Sequence, residues 1–123
     1  MVDSAPLGAP ELPELPEVPD AVRCGPLWLS PSHLCEIRVN GEPLSMTISK
    51  IQMVACLLAA DGAVVSREDL YRSAHGDNLR KRSRAVDVEL CRVRQQLGPL
   101  GRFIITVRDR GYRMDVFGLR RST

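Results

Sequence analysis

The strongest constraint on this chain is a helical repeat of apolar residues in the segment SRAVDVELCRVRQQL, residues 83–97. The apolar positions are spaced at i, i+4, i+7 and i+11, so at about 100° per residue they fall on one narrow stripe of an α-helix. These four residues, which are predicted to face a core, are Val86, Leu90, Val93 and Leu97. The opposite side then carries Arg84, Val88, Cys91, Arg92 and Gln95, with Arg94 on its flank. The fold must therefore bury one side of this helix and leave a basic side exposed.

Short alternating runs before this helix predict a small antiparallel sheet. Cys35, Ile37 and Val39 are spaced by two residues, as in a strand with one buried face. The Asn40-Gly41 pair that follows is typical of a two-residue hairpin turn.

Two more helices are predicted between the sheet and residue 83. The segment ISKIQMVACLLAA carries a helical stripe that ends at Asp61-Gly62. The stripe consists of Ile51, Val54, Ala55 and Leu58. A second helix should begin at Ser66, whose hydroxyl precedes Asp69 by three residues as in an N-cap, and should end near His75-Gly76. The third helix should stop at Gly98-Pro99.

The last predicted element is a β-hairpin. The runs RFIITV and GYRMDVF are joined through Asp109-Arg110-Gly111, where glycine can take the left-handed conformation that a tight turn needs. The order is thus sheet, three helices, hairpin. This order predicts an α+β fold, a winged helix-turn-helix with an N-terminal antiparallel sheet and a C-terminal β-hairpin wing.

Composition divides the chain into a leader, residues 1–22, and a winged helix domain, residues 23–123. The leader contains the repeat PELPELPEVPD and no basic residue. Its acidic residues are Asp3, Glu11, Glu14, Glu17 and Asp20. A polyproline II helix has about three residues per turn, so the glutamates would line one edge and Leu12, Leu15 and Val18 another. We expect a disordered leader. The alternatives are a recognition strip and an acidic segment that folds back and competes with DNA.

Positive charge is concentrated at the third helix and the hairpin. Between Asn78 and Arg113 there are ten Lys or Arg residues against three acidic ones, Asp87, Glu89 and Asp109. On charge alone, a solvated face and a surface for nucleic acid are equally good explanations. The residue types favour the second, because arginine can bond guanine in a fork and a valine methyl can pack on the thymine methyl in the major groove.

Individual charged residues have distinct predicted roles. Glu89 is expected to pair with Arg92 or Arg82 rather than to read a cytosine. Arg108 and Arg110, on the hairpin turn, are candidates for the minor groove, whose narrow form attracts arginine. Arg113 lies past the turn, and a solvated strand position explains it at least as well.

Other classes of site lack sequence support. The four cysteines form no C-x-x-C pair, which indicates reduced apolar residues rather than a zinc site or a disulfide frame. His33 and His75 lie in different predicted elements, and no residue is placed to activate a nucleophile, so we expect neither an enzyme nor a cofactor. Without a signal peptide, and with a longest apolar run of only Met53 to Ala60, a cytoplasmic protein with no membrane contact is expected.

The segment from Glu42 to Val116 resembles the DNA-binding effector domain of OmpR/PhoB-type response regulators. VVSREDL (residues 64–70) is similar to the entry of that family's second helix. SRAVDVELCRVRQQL (residues 83–97) is similar to its recognition helix, with the R-x-V-D-V pattern intact. TVRDRGYRM (residues 106–114) is similar to its wing, usually TVRGxGYR.

The resemblance implies sequence-specific binding to double-stranded DNA, usually at tandem half-sites and as a dimer, with regulation through RNA polymerase or a sigma factor. By position, Arg84 would hold phosphate, and Val88, Cys91 and Arg92 would face bases. Arg94 and Thr106 would touch the DNA backbone, and Arg108 would enter the minor groove. Lys81 and Arg82 complete the predicted DNA-contacting set, and their loop GDNLRKRS stands where the family contacts polymerase.

The sequence also departs from the family pattern. Lys50 replaces a common glutamate, Ala74-His75 stands where Val-Trp is usual, and Glu89 replaces a frequent histidine. The operator sequence therefore cannot be transferred. No receiver domain precedes the module in this sequence, so control by phosphorylation is not expected.

A second class of function remains open at this point. A winged helix module of this kind could instead bind a sigma factor, polymerase or another regulator, with the leader as its main contact. The two classes differ in salt dependence, because neutralising several phosphates makes affinity fall steeply with salt.

Overall fold

The computed structural model describes residues 21–31, 36–76 and 84–122. Its first part is a four-stranded antiparallel sheet in the order β1 (Val22–Cys24), β2 (Leu27–Ser30), β3 (Glu36–Val39) and β4 (Glu42–Leu44). Strands β3 and β4 are joined at Asn40-Gly41, where φ is 53° and 85°. Positive φ at both central residues is what a type I′ turn requires, so the predicted hairpin is confirmed.

Three helices follow the sheet: α1 (Ile48–Ala59), α2 (Arg67–His75) and α3 (Arg84–Leu97). The Ser66 hydroxyl accepts a hydrogen bond of 3.1 Å from the Asp69 amide, which confirms the predicted cap of α2. Helix α3 ends at Leu97, directly before Gly98 as predicted, and begins one residue after its expected start.

One hydrophobic core joins the sheet to all three helices. The predicted stripe of α3 is buried at every position, and the α1 residues Ile51, Val54 and Leu58 are buried with it. Leu29 and Ile37 contribute the inner face of the sheet to the same cluster. Burial of these side chains, at about 1.5 to 3 kcal/mol each, fixes which side of α3 remains outside.

The wing consists of β5 (Ile104–Val107) and β6 (Gly111–Met114), an antiparallel pair. Val65, just before α2, adds a third short partner through two hydrogen bonds with Tyr112, of 2.7 and 2.9 Å. The wing is therefore attached both to the end of α3 and to the start of α2.

The structure corrects three details of the predicted hairpin. Residues 98–103 form a 3₁₀ helix with proline near its start, so β5 begins at Ile104 rather than at Arg102. Asp109, with φ 64°, takes the left-handed position in the turn that was assigned to glycine. Gly111 is needed for another reason: with φ 141° it lies against the backbone of Val65, where a Cβ would stand 2.1 Å from the carbonyl oxygen.

The predicted last strand also ends early, because Asp115 caps a short helix, α4 (Val116–Arg120). The Asp115 carboxylate accepts a hydrogen bond of 3.1 Å from the Gly118 amide. Val116 and Leu119 are buried in the core, whereas Phe117, predicted in a strand, is 72% exposed. The sequence missed this element because five residues are too short for a helical repeat to be visible.

Residues 1–20 of the predicted leader lie outside the described residues, and so does Cys35 of the predicted alternation. Strand β1 begins at Val22, one residue before the expected start of the domain. The division into leader and domain stays a prediction. In the described ranges, no helix has the length and apolar character needed to span a membrane.

The contact of Gly111 with Val65 predicts a strong effect of Gly111→Ala. The added methyl clashes with backbone and also strains φ, so the free energy of unfolding should fall by about 3 kcal/mol or more. Gly98→Ala is the matched control, since its φ is 63° but no atom lies within 4 Å of the added Cβ. It should cost only about 1 to 2 kcal/mol. Urea denaturation of both variants checks this, and equal losses would contradict the close contact.

Candidate nucleic-acid interface

The exposed side of α3 is the surface that the sequence predicted. Val88 is 53% exposed, and Cys91, Arg92 and Gln95 are exposed beside it. Within the described ranges, Arg92 makes no hydrogen bond or ion pair. Arg84 is the first residue of the helix, but its side chain is outside the described set, as are Lys81 and Arg82. The helix thus presents an apolar methyl pair, a thiol and a cation on one face.

The wing adds two more cations at its tip. Arg108 and Arg110 are exposed in a turn closed by a hydrogen bond of 2.9 Å from the Arg110 amide to the Val107 carbonyl. Thr106 is exposed on β5, whereas Arg113, on β6, is half-buried. The tip of the wing is therefore cationic, and a backbone hydrogen bond closes its turn.

Arg94 connects the exposed helix to the wing. Its guanidinium donates to the Ile104 carbonyl from Nε (3.0 Å) and Nη2 (2.8 Å), and Nη2 also donates to the Thr106 hydroxyl at 2.8 Å. The guanidinium carbon lies 5.5 Å from the centre of the Tyr112 ring. These contacts hold β5 and β6 at a fixed position relative to α3.

Asp87 makes the second connection between α3 and the wing. Its carboxylate accepts hydrogen bonds from Arg67 Nε (2.9 Å) and from the Tyr112 hydroxyl. The hydrogen bond with Asp87 raises the pKa of Arg67. The pKa of Tyr112 is raised mainly by burial and next by its own hydrogen bond to Asp87. One carboxylate therefore links the start of α2, the first turn of α3 and the wing.

Glu89, the other acidic residue of α3, is also held by intramolecular contacts. Its Oε2 accepts a hydrogen bond of 3.1 Å from Ser49 in α1, and its Oε1 lies 3.2 Å from His75 Nε2 at the end of α2. A pairing role was expected, but the partner Arg92 was wrong, because Glu89 lies toward α1 and α2. The alternative partner, Arg82, is outside the described residues.

Sequence reasoning missed four residues of this arrangement: Arg67, Ser49, His75 and Tyr112. Their partners lie 14 to 40 positions away in the chain. No periodic pattern brings such pairs together, so the contacts depend on the packed helices. The TVRDRGYRM match identified Tyr112 only as part of a motif.

The described cysteines differ in burial: Cys24 is buried, Cys56 is partly buried and Cys91 is exposed. Cys24, Cys56 and Cys91 form no disulfide, and burial raises the pKa of the Cys24 and Cys56 thiols. In the ranges the structure covers, no group of His, Cys, Asp and Glu is placed to hold a metal ion.

A family model described as "Transcriptional regulatory protein, C terminal" matches residues 41–114, well over half of the chain. The chain belongs to this family. It is a transcription-regulator domain of the OmpR/PhoB type, the class of DNA-binding domain that the motifs predicted, and the family and fold are not those of enzymes.

The chain is 33% identical over 97 residues to the phosphate regulon transcriptional regulatory protein PhoB of Shigella flexneri. The match covers 76% of this chain and 42% of PhoB, so the chain spans less than half the length of this relative. It is also similar, at 29% identity, to the Heme response regulator HssR of Staphylococcus epidermidis, covering 76% of this chain and 42% of HssR.

Solved structures support the same fold. The DNA-binding domain of CpxR from E. coli has a TM-score of 0.66 and 29% identity, covering 76% of this chain and 94% of that domain. The Klebsiella pneumoniae RstA DNA-binding domain, in complex with the RstA box, has a TM-score of 0.64 and 25% identity, covering 76% of this chain and 95% of that one. The predicted winged helix class is thereby confirmed.

The linkage through Asp87 predicts that Tyr112→Phe destabilises the protein. Losing a hydrogen bond to a charged partner should cost about 1.5 to 3 kcal/mol in the free energy of unfolding. Thr106→Val is the control, because it removes one exposed hydrogen bond from Arg94, which keeps its bonds to Ile104. Urea denaturation at neutral pH should show the larger loss for Tyr112→Phe.

The raised pKa of Tyr112 predicts a specific alkaline effect. The unfolded chain ionises this phenol at a pH of about 10, while the folded chain still holds the proton. The contribution of Tyr112 to the free energy of unfolding is therefore fully present below the pKa of the unfolded chain. It is lost as the pH rises through the pKa of the folded chain. Unfolding measured across this range should show a smaller alkaline loss in Tyr112→Phe than in the parent protein. Identical losses would show that Tyr112 is not the responsible group.

Proposed function

We propose that this protein binds double-stranded DNA in a sequence-specific manner and regulates transcription by occupying its site. Helix α3 lies in the major groove and the wing reaches the neighbouring minor groove. The observation that carries the proposal is the disposition of charge on α3. Both of its acidic side chains are held by intramolecular partners, whereas Arg92 is exposed and unpaired within the described residues. The outward face is left cationic.

The exposed residues of α3 suit the reading of base edges. Arg92 has a free guanidinium fork for the O6 and N7 of guanine, and the Val88 methyls can pack on a thymine methyl. Cys91 lies three residues after Val88 and directly before Arg92, and it faces bases with them. Arg84, with Lys81 and Arg82 before the helix, is assigned to phosphates, which attract cations without regard to sequence.

The wing and Arg94 have backbone and minor-groove roles in this proposal. Arg108 enters the minor groove and Arg110 lies beside it, because both side chains extend from an ordered turn. Thr106 and Arg94 contact the sugar-phosphate backbone. For Arg94 this leaves Nη1, since Nε and Nη2 already donate to Ile104 and Thr106. Arg94 therefore also positions the wing.

The relatives support DNA as the partner. The RstA domain, which has the same fold over 76% of this chain, is in complex with the RstA box. The proposal extends to RNA polymerase or a sigma factor, and to a dimer on tandem half-sites, through the family resemblance. The loop GDNLRKRS stands where the family contacts polymerase, and its residues 77–83 lie outside the described residues. A DNA-bound regulator of this kind would act in the cytoplasm.

Selection of bound sequences from a random duplex pool is the direct test. It should return a short enriched motif, and a repeated motif would give the half-site spacing. The affinity for this motif should fall steeply with salt, with a slope of about −0.9 per phosphate contact. No enrichment, or an affinity that salt hardly changes, would favour the protein-interaction function instead.

Direct base contact predicts the behaviour of Arg92→Ala. Affinity for the selected motif should fall by about 1 to 3 kcal/mol, with base preference relaxed at one position. Arg23→Ala is the matched control: it removes another exposed arginine, from strand β1 of the sheet rather than from α3. Its affinity should be unchanged. Equal loss on the selected motif and on random duplex would assign Arg92 to the phosphates.

The wing assignment makes a separate prediction for Arg108→Ala. Binding should weaken on every duplex, and the salt slope should become shallower by about 1, since one cation contact is lost. Titrations at several salt concentrations measure this, with Arg23→Ala again as the control. An unchanged slope would place the wing outside the interface.

A further inference from the structure

Strand β2 is buried on both faces, although the helices cover only one of them. Leu27 and Leu29 point into the hydrophobic core. Trp28 and Ser30 alternate with them and so lie on the opposite face, yet they are only 4% and 0% exposed. Among the described residues, Trp28 is not a member of the core cluster. We call the side that holds Trp28, Arg23 and Arg38 the outer sheet face.

Among the described neighbours of Trp28 on this face, the Arg38 guanidinium lies over the ring, whereas Arg23 and Pro43 are exposed residues of the neighbouring strands. Arg23 and Arg38 are its direct cross-strand partners, and Pro43 follows Arg38 on β4. The Arg38 guanidinium carbon is 6.0 Å from the ring centre, and Arg23 and Pro43 are themselves exposed. An antiparallel sheet with one open face leaves that face in contact with water. One guanidinium at 6.0 Å covers only part of an indole, so a Trp28 exposure of 4% requires a further layer over the outer sheet face.

Arg38 indicates the chemistry of this layer. Its Nη2 pairs with Glu36 at 2.8 Å and its Nη1 donates to the Gly41 carbonyl at 3.0 Å. Its Nε is buried and, in the described part of the chain, has no hydrogen-bond partner. A buried donor without an acceptor is costly. The covering segment should thus supply both apolar side chains and unpaired acceptors.

We propose that the repeat PELPELPEVPD of this chain, residues 10–20, docks on the outer sheet face. A polyproline II segment makes no internal hydrogen bonds, so its carbonyls are free to accept from Arg38. Its Leu12, Leu15 and Val18 edge covers the Trp28 ring. Its glutamate edge, with Glu11, Glu14 and Glu17, faces the cations of this surface, among which Arg23 is exposed.

Chain geometry favours this occupant over a separate partner. The repeat leads directly into β1, which is paired to the strand that holds Trp28, and adjacent strands are about 5 Å apart. The nine residues from Leu12 to Asp20 would span about 28 Å as a polyproline II helix. This is more than the roughly 15 Å across the four strands of the sheet. The segment is tethered at the surface it would cover, so docking costs little translational freedom.

Docking here has a consequence for the DNA surface. The outer sheet face and the exposed side of α3 lie on different sides of one core, because Leu29 and Leu90 belong to the same cluster. A leader held on the sheet does not compete with DNA. This separates the proposal from an acidic leader that folds onto the recognition helix.

The test uses the only tryptophan of the chain as a probe. In the full chain, Leu12→Ser, Leu15→Ser and Val18→Ser are combined, and Leu7→Ser with Val2→Ser is the control within the same leader. The repeat variant should shift the Trp28 emission to longer wavelength and raise acrylamide quenching severalfold. The control should match the parent protein, and far-ultraviolet circular dichroism should be unchanged in both.

Unchanged quenching in the repeat variant, or a rise in its affinity for a duplex at low salt, would overturn the docking. Leu34→Ser tests the loop between β2 and β3, and if it exposes Trp28 while the repeat variant does not, that loop is the cover. Unchanged quenching in the repeat variant contradicts the docking, whatever the result for Leu34→Ser. Affinity for a duplex at low salt should be the same for the repeat variant and the parent, and a rise would place the leader on α3. The fluorescence result stands independently of whether the protein binds DNA.

Discussion

The arrangement of the whole surface depends on the carboxylate of Asp87. It accepts from Arg67 at the start of α2 and from the Tyr112 hydroxyl in the wing, while belonging to α3 itself. Tyr112 belongs to the hydrophobic core, where a hydrogen bond to a charge is stronger than in water, whereas the Arg67 side chain is 31% exposed. Arg94 adds the parallel connection from α3 to β5. Helix and wing therefore form one rigid surface, and DNA would not have to order them on binding.

The same contacts explain how a helix with two acidic residues can present a cationic face. Asp87 and Glu89 are turned toward α1, α2 and the wing. Arg67 and Tyr112 contact the Asp87 carboxylate, and Ser49 and His75 contact that of Glu89. Arg92 has no such partner among the described residues and remains outside. A count of charges along the chain gives the correct sign of the region but not this separation, which depends on the direction of each side chain.

Particular elements show where sequence reasoning reached its limit. Helix α3 was predicted to within one residue, because its apolar period extends over about three turns and Gly98 stops it. The Ser66 cap and the Asn40-Gly41 turn were predicted because each depends on neighbours within three residues. The 3₁₀ helix and α4 were missed, since elements of five or six residues carry no repeat. Arg92 was the wrong partner for Glu89, because Ser49 and His75, which contact this carboxylate, lie in two other helices.

The sequence by itself determined the order of the elements, the buried side of α3 and the residue types that face outward, because these follow from local propensity and from hydrophobic period. The tertiary structure alone decided which distant residues meet: Asp87 with Tyr112, Glu89 with His75 and Gly111 with Val65. It also decided that Trp28 is buried on the sheet face away from the core. Such contacts join residues far apart in the chain. They exist only after the core has fixed the relative positions of the helices, the sheet and the wing.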